Sequence, residues 1–270
     1  VSPLTGDNSV AGREKSWQVG GMADHQFADA GLAGLYDVLH PSERRDDFGF
    51  YAGLVMAAES VLDVGCGTGS LLHEARAAGH TGRLCGLDPA AGMLEQARKR
   101  AAVEWVLGDL ASVAWEQEFD LIVMTGHAFQ VFVTDEELRT SLASIRTALM
   151  ANGRFAFETR NPLVRAWEQW TPDNISETID AAGAVVRSWH EVENPVEDDI
   201  VSFTTTFTSP AWDRPQESRS TLRFLDAASL STFLSEAGLV VEEQFGDWDR
   251  SPLTGTSPEI ITIVRPAESW

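Results

Sequence analysis

The chain is short of basic residues, and of lysine most of all. Only Lys15 and Lys99 are lysines among 20 basic residues, against 41 acidic ones and a formal charge of −21. A surface of that sign repels nucleic-acid phosphates and anionic membranes, so neither a nucleic acid nor a membrane is expected as a partner. The acid is spread evenly, with 21 acidic residues in 1–150 and 20 in 151–270, so neither half is a basic arm. Cysteine is scarce as well. Cys66 and Cys85 form no zinc spacing and no disulfide framework, and both are expected as reduced thiols. No apolar run approaches the roughly 20 residues of a membrane helix. No basic-then-apolar leader pattern opens the chain, and the expectation is a cytoplasmic protein of unassigned oligomeric state.

What is present is alternation. Residues 1–24 are polar and aperiodic, and are expected to be a flexible tail. Helical patterns follow at "FADAGLAGLYDVL" and "DDFGFYAGLVMAAE", the second with Phe50, Leu54 and Val55 on one side. Apolar strands then alternate with helices. The strands are "SVLDV" (60–64), "RLCGLD" (83–88), "VEWVLGD" (103–109), "FDLIVM" (119–124) and, after a turn, "NGRFAFET" (152–159). The helices are "SLLHEARAAG", "AAGMLEQARKRA" behind Pro89, and "DEELRTSLASIRTALM" with Thr134 as its N-cap. This pattern predicts an α/β fold, a doubly wound parallel sheet covered on both faces. After Pro162 the pattern becomes three strands, at "GAVVRSWHEVEN", "DDIVSFTTTFTS" and "ESRSTLRFLD", with no helix between them, which predicts a small antiparallel β insertion. Residues 25–161 and 225–270 are read as one domain and 162–224 as its lid.

The informative motif is "VLDVGCGTGS". An apolar strand runs into a G-x-G-x-G turn, Gly65-Cys66-Gly67-Thr68-Gly69, and a helix begins at once. Glycines there let the chain turn sharply and let a ligand approach the backbone. A dinucleotide site more often reads G-x-G-x-x-G, and no G-x-x-x-x-G-K-[ST] phosphate loop occurs. Asp88 ends the next strand, 19 residues after Gly69, where a carboxylate can accept ribose hydroxyls. Asp109 ends the third strand, placed to read an adenine edge. Three ligand-suited strand ends in succession point to a crevice at the carboxyl edge of the sheet.

"VLDVGCGTGSL", "GLDPAAGMLEQAR", "VLGDL" and "FDLIVM" together resemble the consecutive motifs of class I S-adenosylmethionine-dependent methyltransferases, over residues 27–160 and 239–264. The resemblance implies a Rossmann-like seven-stranded sheet whose last strand is antiparallel and lies beside the fifth. It implies S-adenosyl-L-methionine as cofactor, S-adenosyl-L-homocysteine as product, and transfer of a methyl group to O or N of a small organic acceptor. It gives the backbone of Gly65, Cys66 and Gly67 to the methionine part, Asp63 to the loop and the amino group, Asp88 to the ribose, Asp109 with Leu110 to the adenine, and Met93 to its cover. Pro89, Gly108, Thr125 and Gly126 complete the implied cofactor set. The N-terminal helices and the insertion resemble small-molecule enzymes such as aminosugar N-methyltransferases and the trans-aconitate type. A nonmethyl reaction such as cyclisation, an NAD-type oxidoreductase and a non-catalytic binding module stay open as alternatives.

His127, in "MTGHAFQVF", follows the fourth strand at the position that faces the transferred group in this family. Its ordinary pKa near ~6.5 suits a general base. Three roles stay open: base, orienting residue, or packed histidine. Tyr36, Tyr51, Phe129, Arg160 and Trp167 are the candidate acceptor residues. Arg160 can bind a carboxylate or phosphate bidentately, or it can pair with a Glu at the sheet edge. Trp167, Trp170 and Trp189 can line an apolar acceptor pocket or pack the lid. Glu197-Asp198-Asp199 reads as a solvated turn, and no metal cluster can be assembled.

Overall fold

A computed structural model describes residues 23–100, 102–196 and 198–267. Most of the expected tail, and Glu197 of the acidic turn, lie outside them. Three short helical turns open the described chain: α1 (His25–Ala28), α2 (Ala30–Ala33) and α3 (Tyr36–Leu39). The single amphipathic helix expected over 27–39 is therefore broken. Asp29 is extended and its carboxylate accepts from the Gly31 and Leu32 N–H groups, so it ends one turn by capping the next. Helix α4 (Phe48–Ala57) buries Tyr51 and Val55. Phe50 and Leu54 pack against the same cluster as Val55, as their shared side predicts, and Phe50 is half-buried, edge-on against Phe245 and Trp248.

The α/β core follows in the expected order: β1 (Ser60–Val64), α5 (Ser70–Ala77), β2 (Arg83–Asp88), α6 (Ala91–Ala97), β3 (Glu104–Leu107), β4 (Phe119–Met124), α7 (Asp135–Ala148) and β5 (Leu149–Arg160). Helix α7 starts with a full capping box between Thr134 and Glu137. It runs straight into β5. The turn expected at Asn152-Gly153 is absent, and a register shift between Phe119 and Leu121 absorbs the extra residues.

Four strands form the insertion sheet: β6 (Ser176–Ile179), β7 (Val185–Val192), β8 (Ile200–Thr208) and β9 (Gln216–Arg223), antiparallel and in sequence order. The sequence pattern predicts three. The extra strand, β6, is a four-residue edge with no buried residue, so it carries no apolar alternation. Helix α8 (Ala227–Glu236), β10 (Leu239–Phe245) and β11 (Glu259–Pro266) complete the chain.

The main sheet has seven strands in the order β10-β11-β5-β4-β1-β2-β3. Strand β11 pairs antiparallel with β5 on one side and β10 on the other, and the rest pair in parallel. Period-two alternation sends Leu62, Ile122, Phe155 and Phe157 against α7 and α8, and Val61, Val123, Ala156 and Ile263 against α4 and α5. With both faces covered, ligands have access at the strand ends.

The N-terminal turns tie the two sheets together. Leu32 and Leu35 pack on Val186 and Phe207 of the insertion, and Ser220 Oγ donates to Asp24 at 2.6 Å. Phe27, Ala33 and Tyr36 pack on Ala90 and Met93 of the main domain.

Candidate active site

The glycine turn is built as its sequence requires. Gly65, Gly67 and Gly69 have φ of 73°, 55° and 74°, a region that L side chains rarely adopt. A Cβ on Gly69 would lie 2.2 Å from the Trp105 ring, whereas one on Gly67 would meet nothing within 4 Å. The backbone at Gly67 therefore faces open space. The Cys66 thiol turns the other way, packing with Leu94, Ala97 and Trp105, and burial pushes its pKa far up. Cys66 can serve a ligand through its backbone only.

Asp88 is buried and already oriented. One oxygen accepts from Gly67 N–H at 2.8 Å and the other from Ala90 N–H at 2.7 Å, which leaves a lone pair on each for a ligand hydroxyl. Burial raises its pKa and these two N–H groups pull it back. Pro89 is exposed beside it, and Met93 is buried under Tyr36 and Phe27. Asp63, 1% exposed, sits at the end of β1, and its Oδ1 has no hydrogen-bond partner. Burial pushes Asp63 up to about 7, despite the pull of Arg45.

Gly108 N–H donates to the Asp88 carbonyl at 3.1 Å. The Asp109 carboxylate is exposed and accepts from Ala111 and Ser112 N–H, and Leu110 is buried in the core behind it. Thr125 and Gly126 lie beside Arg45, whose Nη2 is 3.5 Å from Thr125 Oγ1 and 2.5 Å from Asp47 Oδ2. Burial works against the Arg45 charge, but Asp47 more than restores it.

His127 has φ of 63° and is held at both ends. Its N–H donates to Glu158 Oε1 at 2.7 Å, and its Nε2 lies 3.0 Å from Glu259 Oε2. Tyr51 donates its hydroxyl to the other oxygen of Glu158, which is fully buried. Tyr51 therefore sits beneath the site, as support for Glu158. Phe129 lies in the core, stacked on Phe157 with centroids 4.2 Å apart. Trp167 packs edge-on against Phe224 at 4.5 Å, which makes it lid packing. Trp170, its neighbour by one turn, is the aromatic that reaches the site, with Arg160 Cζ 5.2 Å from its ring centroid.

The structure thus brings Asp63, the glycine turn, Asp88, Met93, Thr125, His127, Tyr36 and Arg160 to one edge. It adds residues that no motif marks: Arg45, Asp47, Gln130 and Glu259. Glu259 stands 132 positions from His127 in the chain, so no local spacing could have joined them. Such an edge can hold a nucleoside through Asp88 and a cationic amine through Asp63.

Comparisons with known proteins agree with this geometry. A family profile described as "Methyltransferase domain" matches residues 61–153. The chain is 32% identical over 130 residues to a 2-phytyl-1,4-naphtoquinone methyltransferase of Trichormus variabilis (strain ATCC 29413 / PCC 7937), covering 43% of this chain and 55% of that protein. It is 31% identical over 222 residues to a cypemycin N-terminal methyltransferase of a Streptomyces species, covering 76% of this chain and 82% of that one. The fold matches the CcbJ methyltransferase of Streptomyces caelestis with a TM-score of 0.71 at 20% identity, over 90% of this chain and 98% of the other. Among the described residues no helix is long and apolar enough to cross a membrane. The order of strands, the glycine turn with its acidic partners and the match along most of a methyltransferase place this chain in the class I S-adenosylmethionine-dependent methyltransferase family.

Proposed function

We propose that the protein transfers a methyl group from S-adenosylmethionine to O or N of a small organic acceptor. The observation that carries this reading is the unpartnered, buried Oδ1 of Asp63 beside a glycine turn whose Gly67 faces open space. An unpaired buried carboxylate oxygen is costly, and the ammonium of a methionine moiety satisfies it. Asp88 would take the ribose hydroxyls, Met93 would cover the adenine, and the exposed Asp109 is left as the residue to read its edge. When bound, the cofactor supplies a methyl group already activated on sulfur. The chain's own work is then to position the acceptor and exclude water.

Residues that do this work stand around His127. Glu158, braced by Tyr51, fixes the strand-tip backbone, and Glu259 fixes the ring. The N-terminal turns bridge Ala90 and Met93 of the main domain to Val186 and Phe207 of the insertion sheet. We read the acceptor's place as the space between them, bounded by Tyr36, Arg160, Trp170 and His190.

Calorimetric titration with S-adenosylmethionine, S-adenosylhomocysteine and NADH tests the reading, with Asp88→Ala as control. Micromolar binding of both adenosyl ligands is expected, weakened at least about tenfold in Asp88→Ala, because hydrogen bonds to a charged group contribute about 1.5–3 kcal/mol. Binding of NADH in their place would overturn it.

A further inference from the structure

The end of β5 carries a guanidinium, Arg160, with no carboxylate of the described residues against it. Arg160 faces Glu259 in the register of β5 and β11, but Glu259 turns its carboxylate to His127 at 3.0 Å. Glu158, two residues back on the same strand, is taken up by Tyr51 and the His127 N–H. Among the described residues no acidic group lies within 4.0 Å of the Arg160 nitrogens. The Arg–Glu pair that the sequence allows is not formed.

What holds Arg160 is neutral. Its Nη1 donates to Gln130 Oε1 at 2.9 Å, and its guanidinium lies over the Trp170 ring. Gln130, 1% exposed, cannot turn away, because its Nε2 donates to the Arg223 carbonyl at 2.9 Å. Arg160 Nε and Nη2 make no hydrogen bond to a described residue. Desolvation disfavours the Arg160 charge, and Glu259 and Glu158 offset that only from a distance. A partly desolvated cation with no counter-ion among the described residues is unfavourable. A full negative charge that enters the site relieves it, and a neutral ligand does not.

The surroundings suit a ligand. Two parts of the chain frame Arg160: Trp170, from the connection into the insertion, lies against the guanidinium, and His190 of β7 packs against Trp170 with ring centroids 6.0 Å apart. The His190 ring is anchored by Nδ1 at 2.9 Å from Thr205 Oγ1 and packs against Trp170 and Phe203. Burial and the Arg160 charge keep it neutral, so it adds no second cation.

We propose that Arg160 is an oxyanion hook for the acceptor, receiving a carboxylate or phosphate group through its free N–H fork in a subsite walled by Trp170 and His190. The fork geometry of guanidinium matches both groups bidentately, Trp170 holds its plane, and Gln130 fixes its far edge. The word acceptor rests on the methyl-transfer reading; the anion site itself does not.

The test is NMR of the full chain with ¹⁵N-labelled arginine, with and without S-adenosylhomocysteine. Loss of one Nε–Hε signal in Arg160→Lys assigns the residue. Titration with malonate or inorganic phosphate is expected to move that signal saturably, with malonamide at least tenfold weaker. A response to malonate alone assigns a carboxylate, and a response to phosphate alone assigns a phosphate. No saturable response to either anion, or an equal response to malonamide, overturns the proposal. Gln130→Glu gives an independent check: an internal carboxylate on Arg160 is expected to abolish the malonate response, and an unchanged response would count against the hook. Anion binding without S-adenosylhomocysteine binding would sink the methyl-transfer reading and leave the hook standing. The reverse pattern would sink only the hook.

Discussion

The His127 ring and the Glu259 carboxylate meet at 3.0 Å and join the tip of β4 to the first residue of β11. Burial disfavours charge on both of them. Burial, with Arg160 nearby, pushes His127 down to about 4, and burial pushes Glu259 up to about 8. Both shifts favour the uncharged forms of the two groups in the neutral range. This arrangement favours an orienting role for His127 over that of a base.

A titration of the His127 ring by NMR is therefore expected to have its midpoint below pH 5. A midpoint near the ordinary 6.5 would restore the base. The linkage runs both ways. The depressed pKa of His127 gives stability that is present above about 6.5 and lost as pH falls toward 4. The raised pKa of Glu259 gives stability that is present below about 4.5 and lost as pH rises through 8. Glu259→Gln is expected to lose less stability than the parent between pH 6 and 9, read from urea midpoints.

Asp63 is expected to make cofactor binding depend on pH. With a pKa of about 7 it is largely protonated at pH 6, and it must ionise to accept an ammonium group. Binding of S-adenosylhomocysteine is expected to release about one proton at pH 6 and close to none at pH 8.5. Calorimetry in buffers of different ionisation enthalpy measures this. Equal proton release at both pH values would show that Asp63 does not meet the amino group.

Tyr51→Phe removes the hydroxyl that donates to buried Glu158. An unsatisfied buried acceptor costs about 1–3 kcal/mol, so the urea midpoint should fall with the slope unchanged. The His127 N–H, which shares Glu158, should then exchange faster with solvent. A stability within about 0.3 kcal/mol of the parent would mean that water replaces the hydroxyl.

Gly69→Ala places a Cβ 2.2 Å from the Trp105 ring at a φ of 74°. The left-handed backbone alone costs about 1–2 kcal/mol, and the clash adds to it. A loss of at least about 2 kcal/mol is expected. Gly67→Ala has no such clash; it should fold better than Gly69→Ala while still weakening cofactor binding, since its Cβ would enter the open space. Wild-type affinity in Gly67→Ala would remove the glycine turn from the cofactor site.

The α/β core and the glycine turn are legible in the sequence because both are written locally. Strand alternation, the Thr134–Glu137 cap and the G-x-G-x-G turn each act within a few residues of their own position, and Asp88 reaches Gly67 through the parallel pairing of β1 and β2. The local errors of a sequence reading are of the same kind: the N-terminal helix breaks at Asp29 because a side-chain cap outcompetes apolar periodicity, and β6 is missed because an exposed edge has none to display. Tertiary structure alone decided what surrounds the reacting centre. Glu259 reaches His127 because β11 inserts antiparallel beside β5, and Phe129 goes to the core because Phe157 stacks on it. Among the described residues Arg160 stands without a carboxylate because its register partner is engaged by His127. These are contacts between residues far apart in the chain, and they are settled by which buried polar groups find partners once the sheet is assembled.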